Sequence, residues 1–338
     1  MGVFVFLPLV LPLTALPVAH LAALHLHPRV ATRLLSALAA VLAVCSTLCL
    51  GLLVVVGTAQ LPGNPLPDAW SDPEVREAVP YDEIAGKAAI VALAAVAVSC
   101  ASAAWRHRRV RRRAQEALAG LPGGELAVLT DEAPYAYALP GPGPTRTGDG
   151  AGAGDREGAG DGTGAAAGGR GRIVVSTGML ACLDDQERDA LIAHERAHLA
   201  GRHHRFLLTV RLAARANPLL RPLRTAVAYT SERWADEDAA RVTGERTVVA
   251  RAIGKAALVS RGTPAPTLAG FAAPSPGPVP RRVAALLGPA PTAVHWPSVR
   301  SAVGLAVWAA AAGTVGSALS SANAMVTLFL VLQAATPF

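Results

Sequence analysis

His194-Glu195-Arg196-Ala197-His198 sets two imidazoles four residues apart, and Glu232-Arg233-Trp234-Ala235-Asp236 follows downstream. On a helix, positions i and i+4 share a face, so both histidines can grip one ion while Glu195 stands beside it. Two histidines leave a catalytic zinc one protein ligand short. Glu232, on a second helix, would complete a His-His-Glu set with one position open for water. Asp236 lies one turn further on the same face, where it could accept a hydrogen bond from the free ring nitrogen of a ligand histidine and fix its tautomer. Zinc would lower the pKa of bound water and Glu195 would take the proton, so that hydroxide could attack a polarised peptide carbonyl. The pattern therefore predicts peptide hydrolysis without a covalent intermediate. Glu237 and Asp238 are rival carboxylates for the third ligand, and His203 and His204 are expected to be solvated or to lie behind the ligands.

These groups need rigid elements to hold them. Asp184 can cap a helix over 184–200, with Glu187 reaching back in a capping box, Ala190-Leu191-Ile192-Ala193 as an apolar flank, and no breaker before Gly201. Upstream, 125–139 and 172–176 read as two short strands rich in Val, Tyr, Ile and Leu. The segment 141–171 between them is nearly all small and polar, cannot bury a core, and is expected to be a disordered insert that lengthens a hairpin loop. Downstream, 205–229 is apolar with spaced arginines. It reads either as an amphipathic segment on the membrane or under the spans, or as a plain core helix pair, with a break at Asn217-Pro218. Helices are expected at 230–243, which carries Glu232 and Asp236, and at 245–260 and 281–287, with an irregular Pro-rich loop at 262–280.

The remainder of the chain reads as membrane. Of 338 residues, 52% are hydrophobic and only 16% charged, and the mean hydropathy is +0.37, too apolar for a soluble protein of this length. Segments 3–26, 34–57, 88–105 and about 303–332 are each long and uncharged enough to cross a bilayer. The first lacks a basic leader and is expected to be an uncleaved anchor; the last is longer than needed and predicts a tilt or a break. Arg29 and Arg33 lie between the first two spans, and Arg106, Arg108, Arg109, Arg111, Arg112 and Arg113 follow the third, whereas the 58–86 loop is acidic. Because basic residues are retained inside, both termini are expected outside and the 106–300 region, with the zinc site, in the cytoplasm.

The net charge of +7 follows from those juxtamembrane arginines, which suit anionic headgroups; direct nucleic-acid binding is not expected. Cys45, Cys49 and Cys100 fall inside spans and Cys182 stands alone, so neither a disulfide framework nor a cysteine metal site is implied. The expected fold is a mainly α membrane protein, with three helices in 1–105, an α+β metallopeptidase domain inserted at 106–300, and a fourth helix in 301–338.

Together, APYAYALPG, RIVVSTGML, HERAHLAGRHH, Asn217-Pro218, ERWAD and RRVAALL resemble the integral-membrane gluzincin metallopeptidases, most closely the BlaR/MecR-like regulatory family, from Ala133 to about Leu287. The resemblance implies one Zn2+ held by His194, His198 and Glu232, with Glu195 as base and Asp236 as orienting carboxylate. It also implies a substrate edge at Ala136, Tyr137 and Ala138, and places Arg282 near the cleft. The implied partners are the bilayer and a peptide or protein substrate, by family a cytoplasmic transcriptional repressor cut in response to a signal. Founding members carry an external sensor after the last span, whereas this chain stops at Phe338, so direct β-lactam sensing is not expected. Two other readings stay open, HtpX-like quality control of membrane proteins and a zinc-bearing signalling protein without catalysis.

Overall fold

The computed structural model describes residues 7–59, 82–141, 171–260, 279–291 and 298–335. Most of the expected 141–171 insert, of the 58–86 loop and of the Pro-rich 262–280 loop lies outside the described residues.

Among those described, four helical stretches are long and apolar enough to cross a membrane: Pro8–His25, Pro28–Val55, Gly86–Ala117 and Ala302–Leu330. The chain is thus a multi-pass membrane protein by length and composition of its helices. The first stretch is not one uniform helix. It runs as α1 (Leu7–Val10), a 3-10 turn at Leu11–Thr14 and α2 (Ala15–His25), because Pro12 sits in the first turn after Val10 and denies the α ladder a donor. The second, α3 (Pro28–Ala59), begins at a proline preset for the first helical position, several residues before the expected start. The third, α4 (Asp82–Ala117), carries the arginine run in the same helix as the span. The last, α11 (Ala302–Ala335), passes through Gly313 and Gly316 without a break.

The chain divides into two compact units, the first made of residues 1–105, 206–230 and 292–338, the second of 106–205 and 231–291. In the first unit, Ala15, Ala19 and Ala22 of α2 meet Leu35, Leu38, Ala39, Leu42 and Ala43 of α3. The same core takes Val210, Ala213, Leu220, Leu223, Ala226 and Val227 from the 206–230 segment. Alanines at the contact let the backbones approach closely, which is where association in lipid gains its packing. The segment therefore packs against the spans. Asn217 breaks it as expected, accepting from the Leu219 N–H at 3.0 Å and donating to Ser46 Oγ at 3.0 Å. Large apolar side chains such as Val91, Val98, Leu305, Leu319 and Phe329 are exposed, as lipid-facing positions should be.

The second unit contains a three-stranded sheet where two strands were expected. The 125–139 segment splits into β1 (Leu126–Leu129) and β2 (Ala136–Pro140), and β3 (Gly171–Ser176) lies between them in the order β1-β3-β2. The split has a local cause. Asp131 accepts from the Ala133 N–H at 2.9 Å, forming a turn just before Pro134, and Thr177 Oγ1 holds that turn from both sides, donating to Asp131 O at 3.0 Å and accepting from its N–H at 3.1 Å. β3 pairs parallel with β1 and antiparallel with β2. Its Ile173-Val174-Val175 run is fully buried because both faces are covered. Val174 joins Tyr137 and Leu139, while Ile173 and Val175 join Met179, Leu183 and the flank of the histidine helix.

α5 (Thr177–Ala181) leads directly from β3 into α6 (Asp185–Ala200), which carries HERAH. The capping box is formed: Asp184 accepts from the Glu187 N–H at 2.9 Å and Glu187 accepts from the Asp184 N–H at 3.0 Å. α7 (His203–Ala216) follows, then α8 (Arg221–Thr243), one continuous helix through Glu232 and Asp236, then α9 (Arg246–Val259) and α10 (Val279–Leu287). Leu286, Val248, Val249, Ala190 and Ala193 form one buried cluster that fastens α6 to α9 and α10.

A Cβ at Gly178, in the first turn of α5, would stand 2.1 Å from the Glu132 carbonyl oxygen and 2.6 Å from its carbon, both backbone atoms that cannot swing away. Gly178→Ala should therefore cost about 1–3 kcal/mol, whereas Gly254→Ala, facing open space inside α9, should gain up to about 1 kcal/mol. Thermal melts of the detergent-purified chain check the ordering, and a tolerated Gly178→Ala would contradict the packing described.

Candidate metal centre

α6 and α8 bring His194, His198 and Glu232 together as the sequence predicted. Their donor atoms all lie within 4.8 Å of one another. His194 Nε2 and His198 Nε2 are 3.1 Å apart, with rings at 79°. Glu232 Oε2 stands 3.5 Å from His194 Nε2, and Oε1 stands 3.4 Å from His198 Nε2. Four tetrahedral ligands about 2.0–2.1 Å from a zinc ion are themselves roughly 3.3 Å apart. The His194–His198 separation and the closest approach of Glu232 to each ring lie near that spacing, the carboxylate reaching the two imidazoles through different oxygens, so the donor set suits such a metal in its convergence and in its nitrogen–oxygen chemistry.

The rival carboxylates are committed elsewhere. Glu237 pairs with Arg233 at 3.1 Å and with Arg246, and Asp238 accepts from Trp234 Nε1 at 3.0 Å and Arg241 at 2.6 Å.

Asp236 is fully buried, with Oδ1 3.0 Å from His194 Nδ1, close enough for a hydrogen bond but off its preferred line. Its firm partner is Arg282 of α10, which forks onto it through Nε at 2.8 Å and Nη2 at 2.6 Å. The third nitrogen of the same guanidinium, Nη1, is 2.9 Å from Glu232 Oε2. Sequence reading set Arg282 near the cleft; in the structure it ties the third ligand to the orienting carboxylate. The signal was slight, a second arginine in RRVAALL on a short helix whose partner cannot be read from spacing.

Three carboxylates, Glu195, Glu232 and Asp236, are buried here against one guanidinium. Burial is the largest influence on each of these groups, and the neighbouring charges offset or outweigh it residue by residue. Burial opposes charge on His194, but the adjacent Asp236 and Glu232 carboxylates outweigh it and push its pKa up to about 10. Burial lowers His198 to about 4, offset only in part by Glu232. Burial raises Glu195 to about 7, while His194, the Ala138 backbone N–H and Arg282 pull it down. Burial also works against charge on Glu232 and Asp236, yet Arg282 and the histidines hold both carboxyls below their usual range. A divalent cation would meet the same carboxylates that raise the His194 pKa.

Glu195 Oε2 has no hydrogen-bond partner among the described residues. The Ala138 N–H comes to this carboxylate from β2, an edge strand. Tyr135 O accepts from the Ser176 N–H at 3.0 Å, so by the alternation of an antiparallel ladder Tyr137 turns its main-chain groups toward β3 while Ala136 and Ala138 turn theirs outward. Tyr137 and Ala138 are buried, and Ala136 is partly buried against the Ile173 and Val175 cluster.

His203 is fully buried rather than solvated, its Nδ1 2.8 Å from His198 Nδ1. His204 is only partly covered.

Residues 163–216 match the model of Peptidase family M48. The matched stretch contains both histidines, Glu195 and His203 and stops short of Glu232, Asp236 and Arg282. It supports a metallopeptidase of a membrane type, and the group at His194, His198 and Glu232 is one that could bind its metal. No curated protein and no solved structure matches the chain.

Removing the guanidinium would strand two buried carboxylates. Arg282→Met should destabilise the chain by about 3–5 kcal/mol in the absence of metal, read as a fall in melting temperature in chelator-treated protein; an unchanged melt would mean that the buried charges are balanced some other way.

Proposed function

We propose that this chain is a membrane-embedded zinc endopeptidase. The observation that carries the reading is the convergence of two imidazoles and a carboxylate, with donor atoms within 4.8 Å of one another, beside a buried glutamate with one unpartnered oxygen. His194, His198 and Glu232 would hold the ion, which when bound supplies a Lewis acid for a peptide carbonyl and an acidified water. Glu195 Oε2 is the atom placed to take a proton and later return it to the leaving amine, and in the metal-free site burial raises this carboxyl toward neutral pH. Asp236 orients His194, and Arg282 fixes Asp236 and Glu232 to each other. A substrate would lie extended along the outer edge of β2, with Ala136, Tyr137 and Ala138 as the added-to strand, because no described strand pairs with that side.

The finer reading is that residues 106–300 face the cytoplasm with both termini outside, on the arginine pattern, and that the substrate is a cytoplasmic protein, by resemblance to the BlaR/MecR-like family a transcriptional repressor cut on a signal. The match to Peptidase family M48 carries the metallopeptidase reading and not the choice of substrate. Quality control of membrane proteins would show itself as many membrane substrates instead of one soluble one.

New protein N-termini compared between cells expressing wild type and Glu195→Ala at equal levels test the proposal. One or a few cytoplasmic cuts present only with the wild type, and reduced at least about 100-fold in the variant, are expected. Equal cleavage by the two proteins would remove Glu195 from the chemistry and the endopeptidase reading with it.

A further inference from the structure

His203 lies five residues after His198, beyond the end of α6, and its burial is built rather than incidental. The chain reverses at Arg202, whose φ of 51° puts it in the left-handed region. That reversal folds His203 back onto the helix it has just left. Gly201 makes room for it, since a Cβ there would stand 2.4 Å from His203 Nε2 and 2.6 Å from its Cδ2. On the other side the ring rests against Trp234, centroids 4.5 Å apart, and the Trp234 indole is pinned by its N–H to Asp238 at 3.0 Å. Trp234 sits between Glu232 and Asp236 on α8, so the same cradle braces both ligand helices.

Within that cradle His203 Nδ1 faces His198 Nδ1 at 2.8 Å, the rings perpendicular at 90°. Two facing imidazole nitrogens at this distance need one proton between them. If His198 uses Nε2 for the metal, as its 3.1 Å approach to His194 Nε2 implies, the proton is on His198 Nδ1 and His203 Nδ1 must accept it. The two ligand histidines are then supported differently, His194 by the carboxylate of Asp236 and His198 by a neutral ring.

We propose that His203 is a positioning residue for the metal centre, fixing the tautomer and the orientation of His198 by accepting a hydrogen bond from its Nδ1–H. This rests on the metal reading above and deepens it. Its role is in holding the ion rather than in the reaction.

Zn2+ affinity of the detergent-purified full chain, measured by chelator competition, tests it alongside the visible spectrum of the Co2+-loaded protein. His203→Leu removes the acceptor and should weaken Zn2+ binding about 10- to 100-fold, with an altered Co2+ spectrum. His203→Asn carries its amide oxygen near the Nδ1 position and should restore affinity to within about threefold. His203→Gln, whose oxygen reaches the Nε2 position instead, should stay weak, and the Asn–Gln pair decides the question if the Leu protein does not fold. Wild-type affinity in the Leu or Gln protein would overturn the proposal, as would equal losses in Asn and Gln, which would make His203 packing alone. A wild type that binds no Zn2+ would instead overturn the metal reading on which this one rests.

Discussion

The site in the second unit depends on burying three carboxylates beside one guanidinium and the His194 ring. Glu195, Glu232 and Asp236 are all nearly or fully enclosed, with a single guanidinium among them. An isolated carboxylate would not be tolerated there, and each survives through a specific partner. Asp236 and Glu232 share Arg282, and His194 lies against both. In the metal-free site a proton on His194 answers the two carboxylates, and a divalent cation held where the imidazole nitrogens converge would take its place. Stability and chemistry thus draw on the same charges, because the groups that would hold the ion are also those whose mutual pairing lets the unit close.

The fold serves this constraint by fixing backbone direction at short range. Asp184 and Glu187 start α6, Arg202 turns the chain at its end, and the Asp131–Pro134 turn frees β2 to become an edge strand. Each device is local and individually modest. Together they set one face of α6 between the carboxylates of α8 on one side and the outward amides of β2 on the other, which gives Glu195 a donor from Ala138 and an open edge beside it. The first unit is organised by a different force, the close packing of alanine faces in helices whose outer surfaces stay apolar.

What could be read from the sequence was whatever repeats at a helical or strand period or carries a capping signal. HERAH, ERWAD, the capping box and the four apolar stretches were visible in that way; the i, i+4 spacing accounts for His194 and His198, and the structure brings Glu232, rather than the rivals Glu237 and Asp238, beside them. The miscount of strands came from treating 125–139 as one apolar run; the decisive signal was Asp131 with Pro134, a turn inside it. His203 could not be placed, since its burial depends on a left-handed Arg202 and on the missing Cβ of Gly201, neither of which has a period. Arg282 was similarly hidden, because its partners lie 46 residues or more away on another helix.

The central claim is that the convergent donors exist to hold a metal ion. Metal analysis of the full-length chain purified in detergent without chelators, wild type beside Glu232→Ala, addresses it most directly. About one zinc ion per wild-type chain, with most of it lost in a variant that remains folded, is the predicted result. A wild type that purifies without metal and does not take up zinc when it is supplied would contradict the account.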